Sequence, residues 1–271
     1  MFLKATENDR ACVVEYCAAE PQANLFLLAD VQNFGFDAQF QEVWMQKDAE
    51  QKLQGVLLRY YENYLYYAVN VGEHLAEVAN ELSARNAPLL SAKPVLLDGI
   101  APHMQGAFER HDKMLLTLSG LDKLVADPAG LCKAVASDAP VIAAQYRKIA
   151  EFAALYPADS TVLEQTISNR IQSGEGEHWL VLRNGEIIAH ANSTAETDQS
   201  GVVGGVFSLP ECRRQGLAKG VVSAVCRSML SRGKTPTLFF DNPSAGQMYY
   251  SLGFEQTGAW GSLEAASAKQ E

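Results

Sequence analysis

A chain of 271 residues that is 48% hydrophobic can bury two ordinary cores, and a formal net charge of −10 argues against a surface built for nucleic acid or anionic membranes. Five scattered cysteines without a Cys-x-x-Cys, and five dispersed histidines, argue against a zinc site or a disulfide framework and point to a reducing cytoplasm. No apolar run approaches the roughly eighteen residues of a bilayer span, and residues 1–12 carry charge where a signal peptide needs an apolar segment.

The predicted elements begin with a strand over 2–5 and a helix over 9–19, with Ala11, Val14, Cys17 and Ala18 at helical spacing and Pro21 as its stop. A second helix over 24–31 is closed by Gly35. Strands follow over 41–46, 54–61 and 64–69, the last two joined by a hairpin at Glu62-Asn63. A helix over 74–85 carries Leu75, Val78, Ala79 and Leu82 on one stripe. A short strand over 94–97, a helix over 101–110 and a strand over 113–118 complete the first half. From 120 to 130 the chain turns polar and small, and the domain boundary is placed there, giving domains 1–120 and 131–271.

The order then starts again. A strand over 131–135 leads to a helix that Ser137 caps and that reaches Ala154, with Pro157 as its stop. A helix over 160–171 follows, then strands over 179–182 and 187–193 around Asn184-Gly185, a strong hairpin signal. The next strand, 201–209, contains Gly204-Gly205 and ends before Pro210. A basic loop, Arg213-Arg214-Gln215-Gly216-Leu217-Ala218, opens a helix whose Val221, Val222, Val225, Cys226, Met229 and Leu230 form one stripe. Gly233 ends it. A strand over 237–240 precedes Asn242, which caps a helix with Pro243 at its first position. Gly253 ends that helix, and Phe254 starts a closing strand.

The loop is where ligand chemistry is written most clearly. The first N–H groups of a helix have no internal partner and sit at the positive end of its dipole, so they attract phosphate. Gly216 lets a ligand approach the backbone, and Arg213, Arg214 and Lys219 add charge.

The Arg-x-x-Gly-x-Ala loop, followed by Asn242-Pro243-Ser244-Ala245, Tyr249 and Leu252-Gly253-Phe254, resembles the Gcn5-related N-acetyltransferase (GNAT) family. The resemblance implies an α/β fold of two tandem GNAT-like domains, each a mostly antiparallel central sheet flanked by helices. The first half would be a degenerate copy. Its equivalent turn, Asn70-Val71-Gly72, has one glycine and no arginine.

The resemblance also implies acetyl-CoA as acyl donor, an amine as acceptor and no metal. The backbone of Arg213, Arg214, Gln215, Gly216, Leu217, Ala218 and Lys219 would hold the diphosphate. Val206, Phe207 and Ser208 would polarise the thioester and hold the pantetheine arm. Tyr249 would be the general acid toward the leaving thiolate, and Asn242 both a helix cap and a pantetheine partner. The base stays open among Glu196, His190 and Asp241, with Glu196 first. Two rival readings remain: an acyl-CoA-binding sensor or scaffold without catalysis, and a protein-docking role for the tyrosine-rich hairpin at 60–67.

Overall fold

The computed structural model describes residues 1–149, 152 and 160–266. The chain divides into two compact units. One comprises Met1–Leu115, Phe239–Asp241 and the chain from Gln256 onward; the other comprises Leu116–Leu238 and Asn242–Glu255.

The first half runs β1 (Phe2–Lys4), α1 (Arg10–Cys17), α2 (Leu25–Phe34), β2 (Gln41–Lys47), β3 (Leu53–Tyr60), β4 (Asn63–Tyr67), α3 (His74–Ala84), β5 (Leu89–Ala92), α4 (Pro94–Ile100) and β6 (Phe108–Thr117). Strands β1 to β4 pair antiparallel in order, and β4 pairs with β5 in parallel. Alternation along β4 shows why the hairpin is so aromatic. Tyr64 and Tyr66 face one core with Leu75, Val78, Leu82, Leu96, Leu97 and Ile100 of α3 and α4. Leu65 and Tyr67 face another with Val13, Cys17, Leu27 and Val31 of α1 and α2. The tyrosines at 64, 66 and 67 are therefore core residues of the first unit, which corrects the docking-face reading. Of the hairpin tyrosines Tyr61 is exposed, and it stacks on Phe40 with ring centroids 5.0 Å apart.

Two predicted elements in this half are wrong. Residues 94–97 start a helix, with Pro94 in its first turn, and the buried strand lies just before it at β5. Residues 101–110 hold only one 3-10 turn, Ala101–His103, before β6 begins.

The second half runs β7 (Leu131–Lys133), α5 (Ala139–Lys148), α6 (Ser160–Ser173), β8 (His178–Arg183), β9 (Glu186–Thr194), β10 (Ser200–Ser208), α7 (Leu217–Ser231), β11 (Thr235–Phe240), α8 (Pro243–Ser251) and β12 (Glu255–Ala265). Among the described residues the two halves thus repeat one order of elements, as the sequence predicts. The predicted helix to Ala154 is shorter, since α5 ends at Lys148 with Ile149 extended; Ala154 and the stop at Pro157 lie outside the described residues. At the β8–β9 hairpin, Asn184 (φ 53°) and Gly185 (φ 81°) are both left-handed, as a two-residue primed turn requires. Strands β7 to β10 pair antiparallel, and β10 pairs with β11 in parallel. Helix α7 buries Val221, Val222, Val225 and Met229 on the sheet.

The last strand departs from the predicted 131–271 grouping. Strand β12 belongs to the first unit, between β5 and β6, with Gly261 opposite Ala92 and Leu263 opposite Leu90. In the second unit the N–H of Leu118, just past β6, donates to the Pro236 carbonyl at 2.9 Å, so the end of the first half's last strand runs beside β11.

Candidate active site

The site is built where β10 leaves its parallel partner. Strands β10 and β11 pair from Ser200–Thr235 to Val202–Thr237 and no further, although both continue. On its other flank β10 shifts register against β9 between Gly204 and Phe207. Gly205 takes φ 58°, a left-handed value that makes this a bulge. A side chain could not replace its hydrogen, because a Cβ there would overlap the Tyr146 hydroxyl. The glycine pair thus opens β10 where the family resemblance implies the acyl group would lie. Val206 and Ser208 are half-buried, and Phe207 is buried.

Beyond β10, a 3-10 turn at Pro210–Cys212 reverses the chain. Arg213 has φ −65°, Arg214 is left-handed at 62°, and Gly216 is left-handed at 79°. Arg213 is extended (ψ 157°), but the left-handed Gly216 followed by the right-handed first turn of α7 turns successive amides toward one side, the geometry of an anion nest. The first intrahelical bond of α7 runs from the Gly220 N–H to the Gly216 carbonyl at 3.0 Å. Among the described residues none accepts from the amides of residues 214–219. Arg213, Arg214, Gln215 and Gly216 are exposed, Ala218 and Lys219 half-buried, and Leu217 anchors the turn in the core. Gln215 is steadied by Arg183, whose Nη2 lies 3.2 Å from its Oε1.

Asn242 caps α8, its Oδ1 accepting from the Ser244 N–H at 2.9 Å, which is the cap role read from the sequence. Tyr249 is buried against Phe254, with ring centroids 5.8 Å apart, whereas its neighbour Tyr250 is exposed. Burial, and then the Cys226 thiol, push the Tyr249 pKa up to about 12, so the phenol keeps its proton at all ordinary pH.

The base assignment needs correcting. Glu196 lies at the start of β10, against Gly201, and not beside the bulge. Its carboxylate receives Arg232 Nη1 at 2.6 Å, Lys234 Nζ at 2.7 Å and the Ser193 hydroxyl at 2.6 Å. Burial would raise its pKa, but Arg232, Lys234 and Ser193 outweigh that and hold it below the usual range. It ties the end of α7 to the sheet. Glu196→Gln should cost roughly 1–3 kcal/mol of stability, since both cations can turn toward water. A urea melt measures this, and CoA binding should not change. Asp241 is exposed and groups with the first unit.

His190 is fully buried. Its Nδ1 lies 2.6 Å from the Gly205 carbonyl and its Nε2 lies 2.9 Å from His178 Nδ1. Burial lowers its pKa to about 4, and burial together with the His190 charge lowers that of His178 to about 2. Both imidazoles are therefore neutral when folded and protonate near 6.5 when unfolded. The unfolded chain binds more protons below that point. Stability is complete above pH 6.5 and is lost as pH falls toward 4, by up to about 1.4 kcal/mol per histidine per pH unit. Urea melts at pH 7.5, 5.5 and 4.5 should show this slope, and His178→Phe should flatten it. Sequence reasoning missed Asn192, whose Oδ1 is buried beside the glycine pair and lacks a partner among the described residues. Its place opposite Gly204 becomes visible only from the strand register.

Among the described residues no group of three His, Cys, Asp or Glu side chains is placed to hold a metal ion, and no helix is long and apolar enough to cross a membrane. The turn equivalent to the nest in the first unit leads into α3 through Glu73, an acidic residue where a phosphate would need a positive field.

Comparison with known proteins places likeness in the second half and in the fold of the whole chain. Residues 144–254 match the acetyltransferase (GNAT) family model. No curated protein matches the chain. A GNAT-family acetyltransferase from Colwellia psychrerythraea is similar in structure at a TM-score of 0.62 and 15% identity, over 98% of this chain and 100% of that one. A tandem GNAT protein from the clavulanic acid biosynthesis pathway is similar at 0.62 and 13%, over 100% and 99%. A GCN5-related N-acetyltransferase from Kribbella flavida is similar at 0.58 and 22%, over 80% and 88%. With the turn before α7 and the opened β10 both inside the matched segment, residues 144–254 carry the likeness to the GNAT acetyltransferase family, and the whole chain has the tandem GNAT fold.

Proposed function

We infer that the second unit binds acetyl-CoA and transfers its acetyl group to an amine, with a small molecule as acceptor. The observation that carries this reading is the row of free amides at residues 214–219, directly after a strand that has parted from its neighbour. The diphosphate sits on the nest, with Arg213, Arg214 and Lys219 around it. The pantetheine arm runs along Val206, Phe207 and Ser208. The Val206 N–H points at the thioester carbonyl and stabilises the oxyanion as the amine attacks. Tyr249 donates to the sulfur as the carbon–sulfur bond breaks, and Asn242 holds the turn beside it. The amine gives up its proton to water, since Glu196 is held in ion pairs and both ring nitrogens of His190 are engaged. The first unit serves as scaffold. Five unpaired cysteines support a reducing, cytoplasmic setting, and the acidic surface disfavours nucleic acid.

The test is a panel of amines with acetyl-CoA, read by release of free thiol. One observation favours an acyl-CoA sensor instead: the first-choice base, Glu196, is held in ion pairs. A sensor would bind CoA and release no thiol with any amine.

A further inference from the structure

The bulge in β10 is held by something more directed than packing. The Gly205 carbonyl can only accept, so the proton between it and His190 sits on His190 Nδ1. A neutral imidazole then presents a bare Nε2, and the proton between the two rings sits on His178 Nδ1. The direction of both bonds is fixed: His178 donates to His190, and His190 donates to the backbone. The ring of His190 is wedged in place, stacked on Phe207 at 5.4 Å and 18°, and meeting Tyr146 edge-on at 5.3 Å and 87°. Tyr146 also fills the space beside Gly205, so the glycine's left-handed turn is enclosed on that side.

The peptide after Gly205 is trans, as is every other peptide bond of the described chain. In a trans peptide the carbonyl and the next N–H point opposite ways. Fixing the Gly205 carbonyl on His190 therefore aims the Val206 N–H away from the histidine. We propose that His190, oriented by His178, is a positioning residue that sets the direction of the Val206 amide toward the acyl carbonyl of a bound thioester. It acts through the backbone and takes no proton from the substrate. Its depressed pKa agrees with this, because a charged ring would put two N–H groups face to face with His178. The inference rests on acyl-CoA binding by the second unit and adds a role that the amide nest does not supply.

Three variants test it. His190→Phe keeps a stacked ring and removes the donor. His190→Asn keeps a donor, because the asparagine Nδ2 falls where Nδ1 stood. His178→Phe leaves the bond to Gly205 and removes only the orienting partner. The probe is acetyl-CoA labelled with 13C at the acetyl carbonyl, read by infrared difference spectroscopy, beside calorimetric titration with CoA.

Bound to the wild type, the carbonyl stretch should shift down. His190→Phe should lose that shift and about 10–100-fold in kcat, with CoA affinity unchanged. His190→Asn should recover most of both, and His178→Phe should fall between. In the ligand-free protein the Val206 amide resonance should move in His190→Phe and return toward its wild-type position in His190→Asn. An unchanged carbonyl stretch in a folded His190→Phe, or an asparagine variant no better than the phenylalanine one, overturns the proposal. Failure of the wild type to bind CoA at all overturns the acyl-CoA reading, and this inference with it.

Discussion

Gly216→Glu is expected to abolish CoA binding while leaving the protein folded. The two halves of that statement have separate physical grounds. A Cβ at Gly216 meets no atom within 4 Å, so the only internal cost is the left-handed backbone at φ 79°. That costs about 1–2 kcal/mol for a non-glycine residue, a fall of a few degrees in Tm. Toward the ligand, the new carboxylate stands in the nest itself. A like charge about 4 Å away near a protein surface costs on the order of 4 kcal/mol, roughly a thousandfold in affinity. Gly216→Asn, which tolerates the left-handed region, isolates the backbone contribution. Calorimetric titration with CoA reads the affinity and a thermal melt reads the fold. Undiminished binding in a folded Gly216→Glu protein would remove the diphosphate from this turn.

Tyr249→Phe is expected to lower kcat by about 10²–10⁴-fold and to leave CoA affinity within twofold of wild type. The ring contact with Phe254 survives the change, so the fold should be undisturbed. Burial holds the phenol near pKa 12, so it reaches the leaving sulfur with its proton still attached. Once the amine substrate is found, the comparison also decides between enzyme and sensor. A turnover rate indifferent to the hydroxyl would take Tyr249 out of the chemistry.

What the sequence made legible was local. The Asn184-Gly185 hairpin, the apolar stripe of α7 and Pro243 behind its Asn242 cap each carry their geometry in adjacent residues. The nest was legible for the same reason, because Arg213 to Ala218 are contiguous. Residues 94–97 were misread because a short apolar run fits a buried strand and a buried helix equally well. Leu96, Leu97 and Ile100 are buried with helical spacing, but three positions are too few to decide. Glu196 was misplaced because Arg232 and Lys234 reach it across some forty residues of chain. His190 reads as an ordinary core histidine between alanines until register brings Gly205 to its Nδ1. A residue's bonding partner across a sheet is a property of pairing, and pairing is not written in any one window.

The place of β12 bears on how the chain folds as it is made. During synthesis, the first unit emerges from the ribosome with β5 and β6 lacking the strand that lies between them. That gap stays open until residues beyond 255 have been translated, and an open edge recruits stray strands. Folding of the first unit is then gated by the segment that carries β12, and nascent chains halted before it should depend on chaperones that shield such edges.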